Sequence, residues 1–280
     1  PHITAVHHGN LRLSADPLLR YELAPGATND DLVVNSFGMR DREFPLAKAG
    51  NCFRIACIGD SVTYGFSIPA ADSYPKRLEA LLNTYCASSP AQFEVLNFGV
   101  PGYNLQEIVQ TLKTKVLPFQ PDLVIYGYCL NDPQDLNLEF IRLLEELTEA
   151  KRRYVNPPQT EAFLIVHSRL FRLAVFALRR TLKPWQERGR HMFATDDPET
   201  LALKKSTHAG YFTDLHTQGA SHATLVQGLD AIAAACAAKN VPVCVFIFPV
   251  TNGLDPYPLT GVHQLLADLC RQHGWRAHDL

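Results

Sequence analysis

From Cys52 onward, short apolar runs alternate with segments that have helical periodicity. The runs are rich in β-branched and aromatic residues, and most are followed by turn-forming residues: 53–58, 93–98, 123–128, 241–248 and 275–280. Amphipathic stretches begin between them at about 73, 104, 219 and 261. Strands that alternate with helices predict an α/β fold with a parallel, right-handed, doubly wound sheet of five strands.

Two parts of the chain lie outside this alternation. Residues 1–50 are rich in turn-forming residues and lack helical periodicity, which predicts a preamble of loops and short strands before a main domain over 51–280. Residues 134–217 carry two helical stripes and several polar loops. We interpret this stretch as an insertion over the carboxyl edge of the sheet, with its arginines on a solvated polar face.

Charge and cysteine usage exclude several classes of partner. The 280 residues have a formal net charge of −2 with acidic and basic residues interleaved, so neither nucleic acid nor an anionic membrane is an expected partner. No apolar run approaches the roughly 18 to 20 residues of a membrane span. The seven cysteines form no CxxC pair and are expected to be free thiols. A signal peptide or anchor before Pro1 is left open, and with it the compartment.

The first apolar run ends in Gly59-Asp60-Ser61-Val62-Thr63-Tyr64-Gly65. A buried strand that stops at Gly-Asp-Ser delivers a hydroxyl to the carboxyl edge of the sheet, where open α/β sheets bind ligands. Gly59 and Gly65 permit a tight backbone path, and Asp60 and Thr63 can hold the loop through hydrogen bonds. Ser61 is therefore the candidate nucleophile.

The loops after the second and third strands supply candidate oxyanion donors. Gly102 can present a backbone N–H with no Cβ in the way, and Asn131 offers a side-chain amide. In a parallel sheet these loops share one edge with Ser61, whose own N–H is a third donor. A nucleophile with convergent N–H donors is what acyl-ester cleavage requires.

Motifs for other chemistries are absent from the sequence. There is no G-x-G-x-x-G, no G-x-x-x-x-G-K-[ST], no H-E-x-x-H, and Ser61 does not lie in a G-x-S-x-G elbow. His7-His8 is interpreted as a solvent-exposed pair. We therefore expect neither a cofactor nor a metal.

Three blocks of sequence resemble the SGNH (GDSL) hydrolase family in order and spacing. They are Gly59–Gly65, the run Asn97-Phe98-Gly99-Val100-Pro101-Gly102-Tyr103-Asn104, and Pro121-Asp122-Leu123 through Asn131-Asp132. The resemblance implies a flavodoxin-like three-layer α/β/α sandwich with a parallel five-stranded sheet. It also implies that Ser61 is the nucleophile, and that Gly102 and Asn131 join the Ser61 N–H in the oxyanion hole.

This chain departs from the family at the general base. The family's base is a histidine in an Asp-x-x-His block after the fifth strand, and no Asp in this chain is followed three residues later by His. The expectation is that this last catalytic block lies beyond Leu280, in a longer parent chain. The nearest internal alternative is His216, in Asp214-Leu215-His216.

The resemblance implies a serine esterase that hydrolyses small acyl or acetyl esters, with a small-molecule or carbohydrate ester as substrate. An O-acyltransferase that uses a sugar hydroxyl as acceptor is the first alternative, and a non-catalytic binding module on the same fold is the second. Hydrolysis or transfer would depend on how the segment 134–217 excludes water.

Overall fold

The computed structural model describes residues 10–29, 32–134, 209–250 and 257–280. They belong to one compact unit, which comprises 5–137 and 209–280. The insertion expected over 134–217 lies outside the described residues, apart from its first residue and the last nine, 209–217, which are helical.

Two short antiparallel hairpins begin the described chain. Strand β1 (Leu11–Leu13) pairs with β2 (Tyr21–Leu23), and β3 (Thr28–Asn29) pairs with β4 (Leu32–Val33). All three residues of β2 are buried. The first hairpin is therefore packed into the protein on its β2 side.

A five-stranded parallel sheet forms the centre of the fold. Its strands are β5 (Cys52–Gly59), β6 (Gln92–Asn97), β7 (Leu123–Tyr128), β8 (Val243–Ile247) and β9 (Arg276–Asp279). Their order is β6-β5-β7-β8-β9, and each neighbouring pair is parallel. This confirms the predicted flavodoxin-like sheet, in which the carboxyl ends of all five strands share one edge.

Helices connect the strands. They are α1 (Ser61–Tyr64), α2 (Tyr74–Tyr85), α3 (Leu105–Thr111), α4 (Gly219–Ala237) and α5 (Thr260–Gln272). The sequence places Asn104 and Glu107 at capping-box positions for α3, and the box is present, since Asn104 accepts from the Glu107 N–H and Glu107 accepts from the Asn104 N–H. Beyond Thr111 the helix widens into a π turn (Leu112–Val116) and then tightens into a 3-10 turn at Leu117–Phe119. Within the described ranges, no helix is both long and apolar enough to cross a bilayer.

Helix α2 covers one face of the sheet. Its Tyr74, Leu78 and Leu82 pack on a buried cluster formed by Ile55, Cys57, Val95 and Ile125. The sequence pattern also predicts Leu81 and Tyr85 on this apolar stripe, and the burial expected there is wrong, because both side chains are exposed. At about 100° per residue, positions 81 and 85 lie within about 20° of position 74 around the helix axis, so helical period alone does not decide which of these side chains is covered.

Strand residues at the positions between those of this cluster point to the opposite face of the sheet and are buried there. On that face α3 packs against β5, and α4 packs against α3. Gly228 of α4 permits the close helix contact, because a Cβ there would lie 2.3 Å from the Leu105 side chain. All seven cysteines are free thiols, as expected.

Candidate active site

The serine loop follows β5 directly. Gly59 has a φ of +156°, and a Cβ at this position would lie 2.2 Å from Thr63 Oγ1 and 2.7 Å from the Gly127 carbonyl oxygen. Asp60 then caps α1 by accepting the Val62 N–H at 2.9 Å. Helix α1 ends after one turn at Gly65, whose φ is +79°. The tight path expected from the two glycines is therefore present, and it leaves Ser61 partly exposed at the carboxyl edge of the sheet.

Asp60 is a buried acceptor with donors on both oxygens. Its Oδ1 accepts from the Val62 N–H and from the Cys129 thiol at 3.1 Å. Its Oδ2 accepts from the Ser61 hydroxyl at 3.3 Å and from the Asn131 amide at 3.4 Å. One carboxylate thus joins the serine loop to the loop after β7.

The loop after β6 lies directly against the serine loop. The Val100 N–H donates to the Gly59 carbonyl oxygen at 3.2 Å. A Cβ on Gly99 would lie 2.2 Å from the Tyr64 nitrogen, so the two backbones are in contact. Gly102 is exposed with a φ of +79°, and its N–H donates no hydrogen bond within the described residues.

The loop after β7 is held from inside by Asp132. Its Oδ2 accepts from the Tyr126 hydroxyl at 2.6 Å and from the Cys129 N–H at 3.2 Å. Its backbone carbonyl accepts from the Leu105 N–H at 2.8 Å, which ties this loop to the start of α3. Burial, and secondly the charge of Asp60, raise the pKa of Asp132 well above its ordinary value.

The structure therefore brings the three predicted loops together. The Val100 to Gly59 bond joins the first pair, Asp60 joins the serine loop to the Asn131 loop, and the Leu105 to Asp132 bond joins the last pair. Ser61 and Asn131 are both partly exposed, and Gly102 is exposed. A hydroxyl and several N–H donors at one accessible edge are the parts that acyl transfer uses.

A family comparison agrees with this geometry. Residues 57–280 match the family model described as GDSL-like Lipase/Acylhydrolase family. The chain belongs to the GDSL-like lipase/acylhydrolase family. It is therefore a hydrolase of that family, as the three sequence blocks indicated, and residues 10–56 precede the matched part.

Several solved structures are similar to this chain at low identity. The crystal structure of TesA is 12% identical, with 80% of this chain and 76% of that chain covered at a TM-score of 0.40. AlinE4, described as an SGNH-hydrolase family esterase, is 16% identical, with 82% and 77% covered and a TM-score of 0.39. A putative lipolytic protein of the G-D-S-L family from Desulfitobacterium hafniense is 11% identical, with 81% and 76% covered and a TM-score of 0.37. A search of curated proteins returned no match.

His216, the internal alternative for the base of this GDSL-family chain, is buried and has hydrogen-bond partners on both ring nitrogens. Its Nδ1 lies 2.6 Å from the Phe212 carbonyl oxygen and its Nε2 lies 2.7 Å from the Tyr128 hydroxyl. The carbonyl can only accept, so Nδ1 carries the proton and Nε2 accepts from Tyr128. Burial lowers the pKa of His216. Ser61 donates to Asp60, and within the described ranges its hydroxyl bonds no histidine.

A second buried histidine, His263, was not predicted from the sequence as a site residue. His263, in the first turn of α5, is buried and bonds Asp279 at 2.5 Å through Nδ1 and Tyr257 at 2.8 Å through Nε2. Asp279 is the last residue of β9, so this pair also lies at the carboxyl end of the sheet. This pair does not match an Asp-x-x-His pattern, because the histidine precedes the aspartate by 16 residues. The sequence did indicate that His263 is buried, because it shares a helix face with Leu266 and Cys270.

Asp60, Cys129 and Asp132 each offer an atom that could bind a metal ion, and these atoms lie within 4.8 Å of one another. The Cys129 thiol donates to Asp60, and burial, then the Asp60 charge, raise its pKa. In this structure the three residues form a hydrogen-bonded cluster that supports the serine loop.

Proposed function

We propose that this protein is a serine esterase that hydrolyses small acyl or acetyl esters, with Ser61 as nucleophile. The observation that carries the proposal is the hydrogen bond from the partly exposed Ser61 hydroxyl to Asp60, the same carboxylate that accepts from Asn131. The buried Asp60 carboxylate thereby holds both the nucleophile and a candidate oxyanion donor in position.

The proposed reaction has two stages. The Ser61 oxygen attacks the ester carbonyl carbon while a base accepts its proton, and the carbonyl oxygen becomes an oxyanion that accepts from the N–H groups of Ser61, Gly102 and Asn131. The bond to the alcohol oxygen breaks, and the alcohol leaves with a proton. Water then attacks the acyl-serine, which releases the acid and restores the hydroxyl.

The chemistry of the proposed oxyanion donors supports a neutral ester as the substrate. The proposed donors are two backbone N–H groups and one amide, with no charged side chain among them, so they suit a neutral ester carbonyl. We therefore place small-molecule or carbohydrate acyl esters as substrates of this hydrolase.

Covalent labelling tests the nucleophile. A fluorophosphonate probe followed by peptide mass spectrometry should label Ser61 in the wild type, and Ser61→Ala should abolish the labelling. Ser89→Ala is the matched control, because Ser89 lies in the exposed turn before β6 at the opposite edge of the sheet. Labelling that persists in Ser61→Ala would refute the assignment.

A further inference from the structure

The N-terminal segment precedes the part of the chain that matches the family, and yet it contacts a proposed catalytic loop. Tyr21 of β2 is fully buried, and its hydroxyl donates to the Pro101 carbonyl oxygen at 2.8 Å. In return, the Tyr103 hydroxyl donates to the Tyr21 carbonyl oxygen at 2.5 Å. The two rings meet edge to face with centroids 5.2 Å apart. Tyr21 therefore binds the loop on both sides of Gly102.

The Pro101 carbonyl and the Gly102 N–H belong to one peptide group. In a planar trans peptide the C=O and N–H bonds point in opposite directions. A hydrogen bond that fixes the direction of the carbonyl therefore fixes the direction of the N–H as well. Because the Pro101 oxygen points inward to Tyr21, the Gly102 N–H is directed away from that buried ring, and Gly102 is exposed.

The Tyr21 hydroxyl also restricts which residue can stand at position 102. A Cβ on Gly102 would lie 2.8 Å from the Tyr21 hydroxyl oxygen, which is closer than real Cβ contacts. The Gly102 φ of +79° also favours glycine. The Tyr21 hydroxyl thus bonds the Pro101 carbonyl oxygen and occupies the space that a side chain at position 102 would need.

We propose that Tyr21 is a positioning residue that orients the Gly102 N–H toward the oxyanion. This inference rests on the proposed esterase function, in which Gly102 is a donor. It assigns a catalytic contribution to the N-terminal hairpin, which lies outside the matched family region.

Tyr21→Phe is the first test, because it removes the hydroxyl and keeps the buried ring. With p-nitrophenyl acetate, and with the rate of Ser61→Ala subtracted, kcat should fall about 10-fold while KM stays within about twofold, since the donor is misdirected but not lost. Ile232→Val is the matched control, because it removes one buried methyl group from α4 far along the chain from these loops. Urea midpoints identify conditions in which both variants are fully folded. Under those conditions the control should have the wild-type kcat.

A double-mutant cycle provides the second test. Gly102→Ala should reduce kcat by a smaller factor in the Tyr21→Phe background than in the wild type, because the atom that the new Cβ meets is gone. Combined with Ile232→Val, its effect should be multiplicative. Wild-type kcat in Tyr21→Phe together with multiplicative factors in both cycles would overturn the inference. If Ser61 is labelled by the probe in that case, the esterase proposal stands, whereas an unlabelled Ser61 refutes the esterase itself.

Discussion

One carboxylate oxygen of Asp132 lies within 4.8 Å of one of Asp60, and both side chains are buried. Asp60 has donors on both oxygens, whereas Asp132 Oδ1 has no hydrogen-bond partner in the part of the chain that the structure describes. The other groups that face Asp132 are the hydroxyl of Tyr126 and the thiol and N–H of Cys129. Burial, and secondly the charge of Asp60, therefore raise the pKa of Asp132.

This pair predicts a pH dependence of stability. The folded-state pKa of Asp132 is raised above its unfolded value near 3.8. Between these two pKa values the folded state binds more protons than the unfolded state. The contribution of Asp132 to the free energy of unfolding is therefore complete below about pH 4 and is lost as the pH rises toward the folded pKa. Asp132→Asn cannot lose a proton, and its free energy of unfolding should fall less than that of the wild type over this range. Urea unfolding at several pH values measures the difference.

The control for that experiment is Asp72→Asn, because Asp72 is exposed and lies in the short 3-10 turn before α2. It should follow the wild-type pH profile. An Asp132→Asn profile with the same slope as the wild type would show that Asp132 is already ionised in the folded protein.

Asn131→Ala tests the side-chain oxyanion donor. Loss of one donor typically lowers kcat by about 10²- to 10³-fold, because the donor acts mainly in the transition state, and KM should change little. Steady-state kinetics with p-nitrophenyl acetate measures both. Asn51→Ala, in the exposed turn just before β5, is the control and should retain activity. Near-full turnover by Asn131→Ala would remove this loop from the oxyanion hole.

The buried histidines can be tested as bases. The chain contains no Asp-x-x-His, so we expect slow turnover by these 280 residues. We also expect neither His216→Gln nor His263→Gln to lower the part that depends on Ser61, because both rings already have partners on both nitrogens. Circular dichroism establishes that each variant is folded. Fast turnover that one of the two substitutions abolishes would identify that histidine as the base.

Alanine substitutions at two glycines should have opposite effects on the free energy of unfolding. Gly99→Ala places a Cβ 2.2 Å from the Tyr64 nitrogen and 2.6 Å from the Thr63 carbonyl carbon, and backbone cannot move aside as a side chain can. We expect a loss of about 3 kcal/mol, at the upper end for overpacking. Gly261→Ala, in α5, meets nothing within 4 Å and should stabilise by about 0.5 kcal/mol. Urea midpoints test both, and a tolerated Gly99→Ala would mean that the two loops are not in contact.

Local signals predicted the elements well. Asn104 and Glu107 marked the start of α3 because a capping box needs only neighbours in sequence. The loops of Ser61, Gly102 and Asn131 were placed at one edge because parallel strands leave no other arrangement. The prediction for α2 was wrong at Leu81 and Tyr85, because their position on the helical stripe does not reveal whether another element covers them.

The sequence by itself determined the order of strands and helices, the glycines of the tight turns and the three loops of the candidate site, because these depend on period, backbone conformation and chain connectivity. Tertiary structure alone decided which side chains hold those loops. Tyr21 bonds Pro101 across 80 positions and Cys129 bonds Asp60 across 69. His263 pairs with Asp279 only because α5 packs against β9. Such bonds are made between residues that share no local pattern, and packing alone brings them within reach.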